Sequence, residues 1–140
     1  MAVLKLQARP LVAGSAAGEA LVLPEALSLW GGLDPQNGEI IDQRHPSFGE
    51  NVSGRILVLP VGRGSSSASS ILLEAVRAGT APAAIITAEV DAILALGAAV
   101  ARELYDESLP VAVLEEPDYG RLHSGLWLFL AEDGLLTIGD

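Results

Sequence analysis

The chain has 140 residues, of which 50% are hydrophobic and 19% charged, so it is not a disordered chain, and its length favours one domain over residues 1–140. Its 8 basic and 18 acidic residues give a formal net charge of −10, which opposes binding to nucleic acids and anionic membrane surfaces because both are negatively charged. It contains no cysteine and two histidines. This excludes disulfides, a thiol nucleophile and an iron–sulfur cluster held by this chain alone, and argues against an autonomous zinc site.

The first quarter of the chain predicts β structure. Residues 3–8 and 20–23 are short apolar runs, and the glycine- and alanine-rich segment 14–18 between them is typical of a turn. The apolar run 27–30 is a candidate for a third strand. We therefore expect the chain to open with two or three short strands joined by tight connections.

A long loop is predicted over residues 30–54, because this segment is dense in glycine, proline, asparagine and aspartate. Residues 39–42 are the one candidate for a brief strand inside it. Loops of this length in a compact domain are usually functional or disordered. Two interpretations are open for each of its candidate residues. Asp34 either closes a turn on its own backbone or contacts substrate, and His45 lies either at a surface or interface or in a binding site.

The middle of the chain alternates strands and helices. The continuous apolar runs 55–60 and 83–87 are typical of buried strands, and residues 111–115 form a third such run after a proline. Residues 67–78 and 91–105 carry apolar side chains at helical spacing, with charged side chains mostly off that face. This order predicts a βαβαβ unit.

The tail predicts a β hairpin, with strands at 126–131 and 135–138 around the turn Asp133-Gly134. Two helices cover only part of so much sheet. We therefore expect an α/β fold with a β/β/α arrangement, β-rich at the N-terminus, rather than a doubly wound fold.

The segment with the most chemical content joins the strand at 55–60 to the following helix. Gly62 and Gly64 allow a sharp turn and close approach of a ligand to the backbone. The helix start supplies unpaired N–H groups and the positive end of the helix dipole. Arg63 adds a cation suited to a carboxylate or phosphate, and Ser65 and Ser66 add hydroxyl groups. An oxyanion-binding corner and a plain serine helix cap both fit this pattern.

The familiar motifs for such a loop do not match. A Walker loop needs Gly-Lys before its hydroxyl residue, and the chain has no lysine here. A dinucleotide loop or a hydrolase elbow needs a glycine where Ser67 stands. Ser65 is also too weakly acidic to act as a base unaided, because a helix terminus stabilises an anion by at most about 2 kcal/mol. A charged partner site would have to complete its activation.

Residues 30–105 resemble the small subunit, or swivelling domain, of aconitase X, a group that includes cis-3-hydroxy-L-proline dehydratases and phosphomevalonate dehydratases. The resemblance covers over half the chain, in order. Its pieces are Gly31-Gly32-Leu33-Asp34-Pro35, Gly38-Glu39-Ile40-Ile41-Asp42, His45-Pro46, Gly62-Arg63-Gly64-Ser65-Ser66 and Ala81-Pro82-Ala83-Ala84-Ile85.

This resemblance implies the swivelling β/β/α domain of the aconitase superfamily and a dehydration reaction on a small hydroxy acid. Ser65 matches the serine that the family uses as proton acceptor, and Arg63, Gly64 and Ser66 would help to bind substrate, with Asp34 and His45 as further candidates. An iron or iron–sulfur centre would lie on a separate large subunit, the expected partner, so this chain would bind no cofactor itself. Trp30, the serine-rich run 65–70 and the segment from Pro110 to Leu122 resemble the bacterial members, which favours a hydroxyproline or a related acid.

Alternatives to this view are a phosphomevalonate dehydratase small subunit and a non-catalytic module that binds an anion or regulates another protein. Glu89 and Asp91 follow a predicted strand, where helix capping is the favoured explanation. Trp30 and Trp127 are candidates for core or interface. Apolar runs are too short for a membrane span of about 20 residues, and arginine and proline interrupt the N-terminal apolar stretch, so we expect a cytoplasmic protein.

Overall fold

The computed structural model describes residues 3–63 and 67–139. These residues form ten strands, two α-helices and one turn of 3₁₀ helix at Tyr119–Arg121. The helices are α1 (Ser67–Ala78) and α2 (Ala92–Tyr105). The strands are β1 (Leu4–Gln7), β2 (Arg9–Val12), β3 (Ala16–Val22), β4 (Leu33–Asp34), β5 (Glu39–Ile40), β6 (Ile56–Leu59), β7 (Ala84–Thr87), β8 (Val111–Val113), β9 (Trp127–Leu130) and β10 (Leu135–Gly139).

Eight strands form one sheet in the order β1-β10-β9-β3-β6-β7-β8-β2, and β4 and β5 form a separate hairpin. β1 and β2 follow each other in the chain but lie at opposite ends of this order, so the sheet curls until its two edges approach. The chain crosses between the edges at Ala8, which is buried and donates its N–H to the Gly134 carbonyl at 2.9 Å. Near-closure leaves few unpaired strand edges.

The curled sheet separates two apolar layers. Side chains alternate along a strand, so Ile56 and Val58 on β6 point into the enclosed side, while Leu57 and Leu59 point toward the helices. All four residues are buried, as expected for a central strand covered on both faces. The structure therefore confirms the expected α/β class, with a large sheet and two helices on part of it.

The two helices pack closely against each other. Gly97 in α2 lies where a Cβ atom would stand 3.2 Å from Leu72 Cδ2 and 3.3 Å from Ser69 Cα, both in α1. The missing side chain thus sets the distance between the helices. α2 is capped by Asp91 at its N-terminus, and Asp106, at φ 54°, ends it in the left-handed conformation. Among the described residues, no helix has the length and apolar character that crossing a bilayer requires.

The N-terminal strands differ from the prediction. The predicted strand at 3–8 is confirmed as β1 (Leu4–Gln7), but β2 (Arg9–Val12), which follows after the chain changes edge at Ala8, was not predicted. β2 contains Pro10, which is tolerated because β2 is an edge strand that pairs only with β8. β3 begins at Ala16, inside the predicted turn segment, since Ala17 and Gly18 pair with β9.

The predicted strand at 27–30 is wrong. Only Leu27 makes a β-bridge there, to Gly62, and the chain then turns. The candidate strand at 39–42 is confirmed for Glu39–Ile40 alone, where it pairs with Leu33–Asp34. The remaining strands and both helices lie within a residue or two of their predicted positions.

Candidate functional site

The candidate site lies where parallel strands end. β3, β6, β7 and β8 run parallel, so their carboxyl ends share one edge of the sheet, the edge where α/β proteins commonly bind ligands. A pocket of about 20 Å³ opens there, large enough for about one water molecule. Its lining residues come from four segments of the chain: Leu27, Leu29, Gly62, Arg63, Ala68, Asp91, Ile93 and Leu94.

The centre of the predicted serine loop, Gly64, Ser65 and Ser66, lies outside the described residues. Its flanks are described on both sides, with Gly62 and Arg63 before it and Ser67 at the start of α1 after it. The loop therefore joins two segments that both border the pocket. The roles predicted for its three central residues stay predictions.

Asp91 fixes the entrance to this loop. Its carboxylate is buried, and Oδ2 accepts the N–H of Gly62 at 2.7 Å while Oδ1 accepts the N–H of Leu94 at 3.0 Å. A Cβ atom on Gly62 would stand 2.6 Å from Oδ2, so only glycine allows this approach. Asp91 thus caps α2, as predicted from its position, and also ties that helix to the segment after β6.

Arg63 is held by the segment that follows β3. Its backbone N–H donates to the Leu27 carbonyl at 3.1 Å, and its Nη2 donates to the Ala26 carbonyl at 3.2 Å. The residue remains exposed. A guanidinium has five N–H donors, so this anchoring leaves Arg63 able to bind an anion at the mouth of the pocket.

His45 contacts the same segment. It is buried, its Nε2 lies 3.2 Å from the Glu25 carbonyl, and its Nδ1 accepts the N–H of Ser47 at 3.0 Å. With Nδ1 as the acceptor, Nε2 is the ring nitrogen that donates to the Glu25 carbonyl. Both ring nitrogens are therefore used by backbone groups. The structure places His45 as a support for the segment that also holds Arg63.

Asp34 does not line the pocket. Its Oδ1 accepts the N–H of Gln36 at 2.9 Å, a turn on its own backbone. The next residue, Pro35, accepts the hydroxyl of Thr80 at 2.6 Å, just past the C-terminal end of α1. Arg63 precedes the N-terminal end of α1, and the 12 residues of this helix separate its two ends by about 18 Å. The structure thus does not bring Asp34 and Arg63 together.

The described residues contain no group of three or more histidines, aspartates or glutamates that could hold a metal ion. The chain also has no cysteine. These residues therefore do not fit an iron or iron–sulfur centre. Arg63 and the N-terminus of α1 instead favour an anion beside the loop.

Sequence reasoning missed two features of this site. Leu27 and Leu29 form a wall of the pocket, although the sequence indicated only a strand there. The bond from Gly62 to Asp91 spans 29 residues, and no local signal could indicate it. An aspartate directly before a helix and a glycine directly after a buried strand were the available hints.

Three comparisons place the chain among known proteins. A family model described as the aconitase X swivel domain matches residues 5–138. The chain is 52% identical over 130 residues to a cis-3-hydroxy-L-proline dehydratase of Pseudomonas aeruginosa. The aligned region covers 93% of this chain and 22% of that protein. The chain is 32% identical to a phosphomevalonate dehydratase small subunit of Thermococcus onnurineus, over 98% of this chain and 100% of that one.

The fold has a close counterpart among solved structures. The crystal structure of Thermococcus kodakaraensis aconitase X in its holo-form superposes with a TM-score of 0.87 at 32% identity, over 98% of this chain and 99% of that chain. The chain spans about a fifth of the length of hydroxyproline dehydratases that it matches, such as those of Pseudomonas aeruginosa and Hypocrea jecorina. It covers 83% of the phosphomevalonate dehydratase small subunit of Methanosarcina acetivorans and 100% of that of Thermococcus onnurineus.

Proposed function

Because the chain belongs to the aconitase X swivel domain family, we propose that it supplies the proton acceptor of a dehydratase that acts on cis-3-hydroxy-L-proline or a similar hydroxy acid. The catalytic partner would be a large subunit that carries the iron or iron–sulfur centre. The observation that carries the proposal is the site at the strand ends, where Gly62, Arg63 and the start of α1 flank the loop containing Ser65.

The relatives support the choice of substrate in this proposal. The hydroxyproline dehydratase of Pseudomonas aeruginosa is 52% identical over 93% of this chain, against 32% for the phosphomevalonate small subunit of Thermococcus onnurineus. The higher identity favours a hydroxyproline. An exposed arginine at the pocket mouth suits the carboxylate of such an amino acid, because guanidinium groups pair well with carboxylates.

The proposed reaction is an elimination. Ser65, in its deprotonated form, takes the proton from carbon 2, the carbon that bears the carboxylate. The electrons of that C–H bond form a double bond to carbon 3, and the C3–O bond breaks to release hydroxide. Hydroxide then takes the proton from the Ser65 hydroxyl and leaves as water, which restores the base. The sum is substrate to unsaturated product plus water.

The other residues of this chain position the loop that carries Ser65 and bind the substrate. Asp91 holds Gly62, and Leu27 and Ala26 hold Arg63, so the loop carrying Ser65 starts from a fixed point. Arg63 and the N-terminus of α1 bind the substrate carboxylate. A pocket of about 20 Å³ does not enclose a hydroxyproline, so a second surface has to complete the site, and that surface would also have to promote deprotonation of Ser65.

Two other functions are kept as alternatives. A phosphomevalonate dehydratase small subunit is supported by matches that cover 83% and 100% of two such small subunits. A non-catalytic module that binds an anion is supported by Arg63 and the helix start alone. The first predicts turnover of phosphomevalonate, and the second predicts anion binding without any turnover.

The test uses a full-length chimera, the Pseudomonas aeruginosa dehydratase with its matching 130-residue segment replaced by this chain. We expect it to dehydrate cis-3-hydroxy-L-proline and to leave phosphomevalonate unchanged. Ser65→Ala should lower turnover by at least about 100-fold, because general-base catalysis contributes roughly that much or more.

The matched control is Ser70→Ala, which makes the same substitution at an exposed position of α1. It should leave turnover within about twofold of the parent chimera. Full turnover by the Ser65→Ala chimera, with normal assembly, would remove Ser65 from the reaction. Turnover of phosphomevalonate in preference to hydroxyproline would favour the first alternative.

A further inference from the structure

Several large apolar side chains are exposed around the candidate site. Trp30 is 64% exposed, Ile41 40%, Phe48 49% and Val90 54%. Val90 directly precedes Asp91, and Trp30 directly follows Leu29 in the pocket wall. We call Trp30, Ile41, Phe48 and Val90 the apolar rim. Exposed apolar groups that gather around a polar site commonly mark an interaction surface.

Backbone hydrogen bonds place the loop members of the rim together. Ile41 donates its N–H to the Gly32 carbonyl at 2.8 Å, which brings it beside the turn that carries Trp30. Gly49, the residue after Phe48, donates to the Ile40 carbonyl at 2.9 Å. These three side chains are therefore carried by adjoining backbone segments.

The apolar rim lies at the end of the molecule that carries the candidate site. The opposite end of the β4–β5 hairpin contacts the end of α1 through Pro35 and Thr80, so the end with Trp30 and Ile41 faces away from it. His45, three residues before Phe48, contacts Glu25 after β3, one residue from the Arg63 anchor. The rim and the pocket thus share one side of the fold.

We propose that the apolar rim is the surface on which the catalytic large part of an aconitase X enzyme docks, closing the pocket over the Arg63 side. This inference rests on the proposed function for the identity of that partner. Two observations select this occupant. The pocket is too small to enclose a substrate by itself, and in the Pseudomonas aeruginosa relative the matching segment is only 22% of the chain, which leaves a much larger polypeptide to complete the site.

A second exposed apolar pair provides a matched control. Trp127 is 53% exposed and Phe129 48%, both on the outer face of β9. On the neighbouring strand β3 they pair with Glu19 and Ala17, which lie within the strand and not in the segment after it that lines the pocket. The chain has two tryptophans, one in the rim and one on this control face.

The experiment is hydroxyl-radical footprinting, with oxidation of Trp30 and Trp127 measured separately by mass spectrometry in the free chain and in the Pseudomonas aeruginosa chimera. We expect Trp30 oxidation to fall at least fivefold in the chimera, while Trp127 oxidation stays within about twofold. Unchanged Trp30 oxidation, or protection of Trp127 alone, would overturn the docking surface.

Variants of the chimera provide the second measurement. Trp30→Ser with Phe48→Ser should lower turnover at least about tenfold, since truncating an aromatic hot spot at an interface usually has this effect or more. Trp127→Ser with Phe129→Ser should lower it less than twofold. The reverse ranking would overturn the inference. A chimera that protects Trp30 but turns over no hydroxy acid would remove the proposed function and leave the docking surface standing.

Discussion

Asp91 has two tasks that one carboxylate can perform only because Gly62 lacks a side chain. One oxygen caps α2 through Leu94, and the other accepts the N–H of Gly62 at the entrance to the serine loop. The cap was predictable from sequence, because an aspartate before an apolar helix is a common start signal. The second bond was not, because it joins residues from different βα units.

Asp91→Asn should separate these tasks. Asparagine caps helices as well as aspartate does, but an NH2 group that only donates replaces one of the two oxygens that accept from Leu94 and Gly62, so one of these bonds is lost. In the chimera we expect kcat to fall about 10- to 100-fold, because small misplacement of a catalytic group has effects of this size. KM and the melting temperature should change little.

Glu103→Gln is the control for loss of one negative charge on the same helix, at an exposed position. It should leave kcat unchanged. If Asp91→Asn keeps full kcat, or loses activity only in proportion to folded protein, then Asp91 is a cap and nothing more.

At the scale of elements, the helices were the most predictable part of the fold. Their apolar spacing predicted the bounds of both helices to within about a residue. By contrast, β2 was missed and the start of β3 was misplaced, because Pro10 and Gly18 interrupt strands in most contexts. Pairing with β8 and β9 overrides these local preferences, since sheet partners decide whether a short segment becomes a strand.

Gly97 is the position where helix packing is most demanding. Gly97→Leu should push α2 away from Leu72 and Ser69 and lower the free energy of unfolding by about 2 kcal/mol, a typical effect of overpacking. Ala99→Leu, on the exposed face of the same helix, should change it by less than about 0.5 kcal/mol. Urea denaturation of the chain measures both, and equal effects would contradict this packing.

At the scale of the whole molecule, the sheet nearly closes on itself. This closure could not be predicted from sequence, because it depends on one chain crossing at Ala8 and on pairings between the two ends of the chain. Local patterns revealed the strands of the tail but not their order. The same holds for the candidate site. The sequence indicated the serine loop as a candidate, but the contacts of His45, Ala26 and Asp91 that support it could not be predicted without the fold.

Gly134 holds the crossing in place. It has φ of +90°, and a Cβ atom there would overlap the Ala8 carbonyl. Gly134→Ala should therefore lower the free energy of unfolding by at least about 2 kcal/mol, from backbone strain and steric overlap together. Gly125→Ala has a similar φ of +95° but open space around it, so it should cost only about 1 kcal/mol. Equal losses in thermal or urea unfolding would contradict the role of the crossing.

The most direct test of Ser65 as the base follows the proton that it is proposed to remove. Cis-3-hydroxy-L-proline deuterated at carbon 2 is incubated with the chimera, and the appearance of deuterium in water is recorded for the parent, Ser65→Ala and Ser70→Ala. We expect the parent and Ser70→Ala to release deuterium at similar rates and Ser65→Ala to release at least about 100-fold less. Release of deuterium by Ser65→Ala at the parental rate would contradict this expectation, because another group would then be the base.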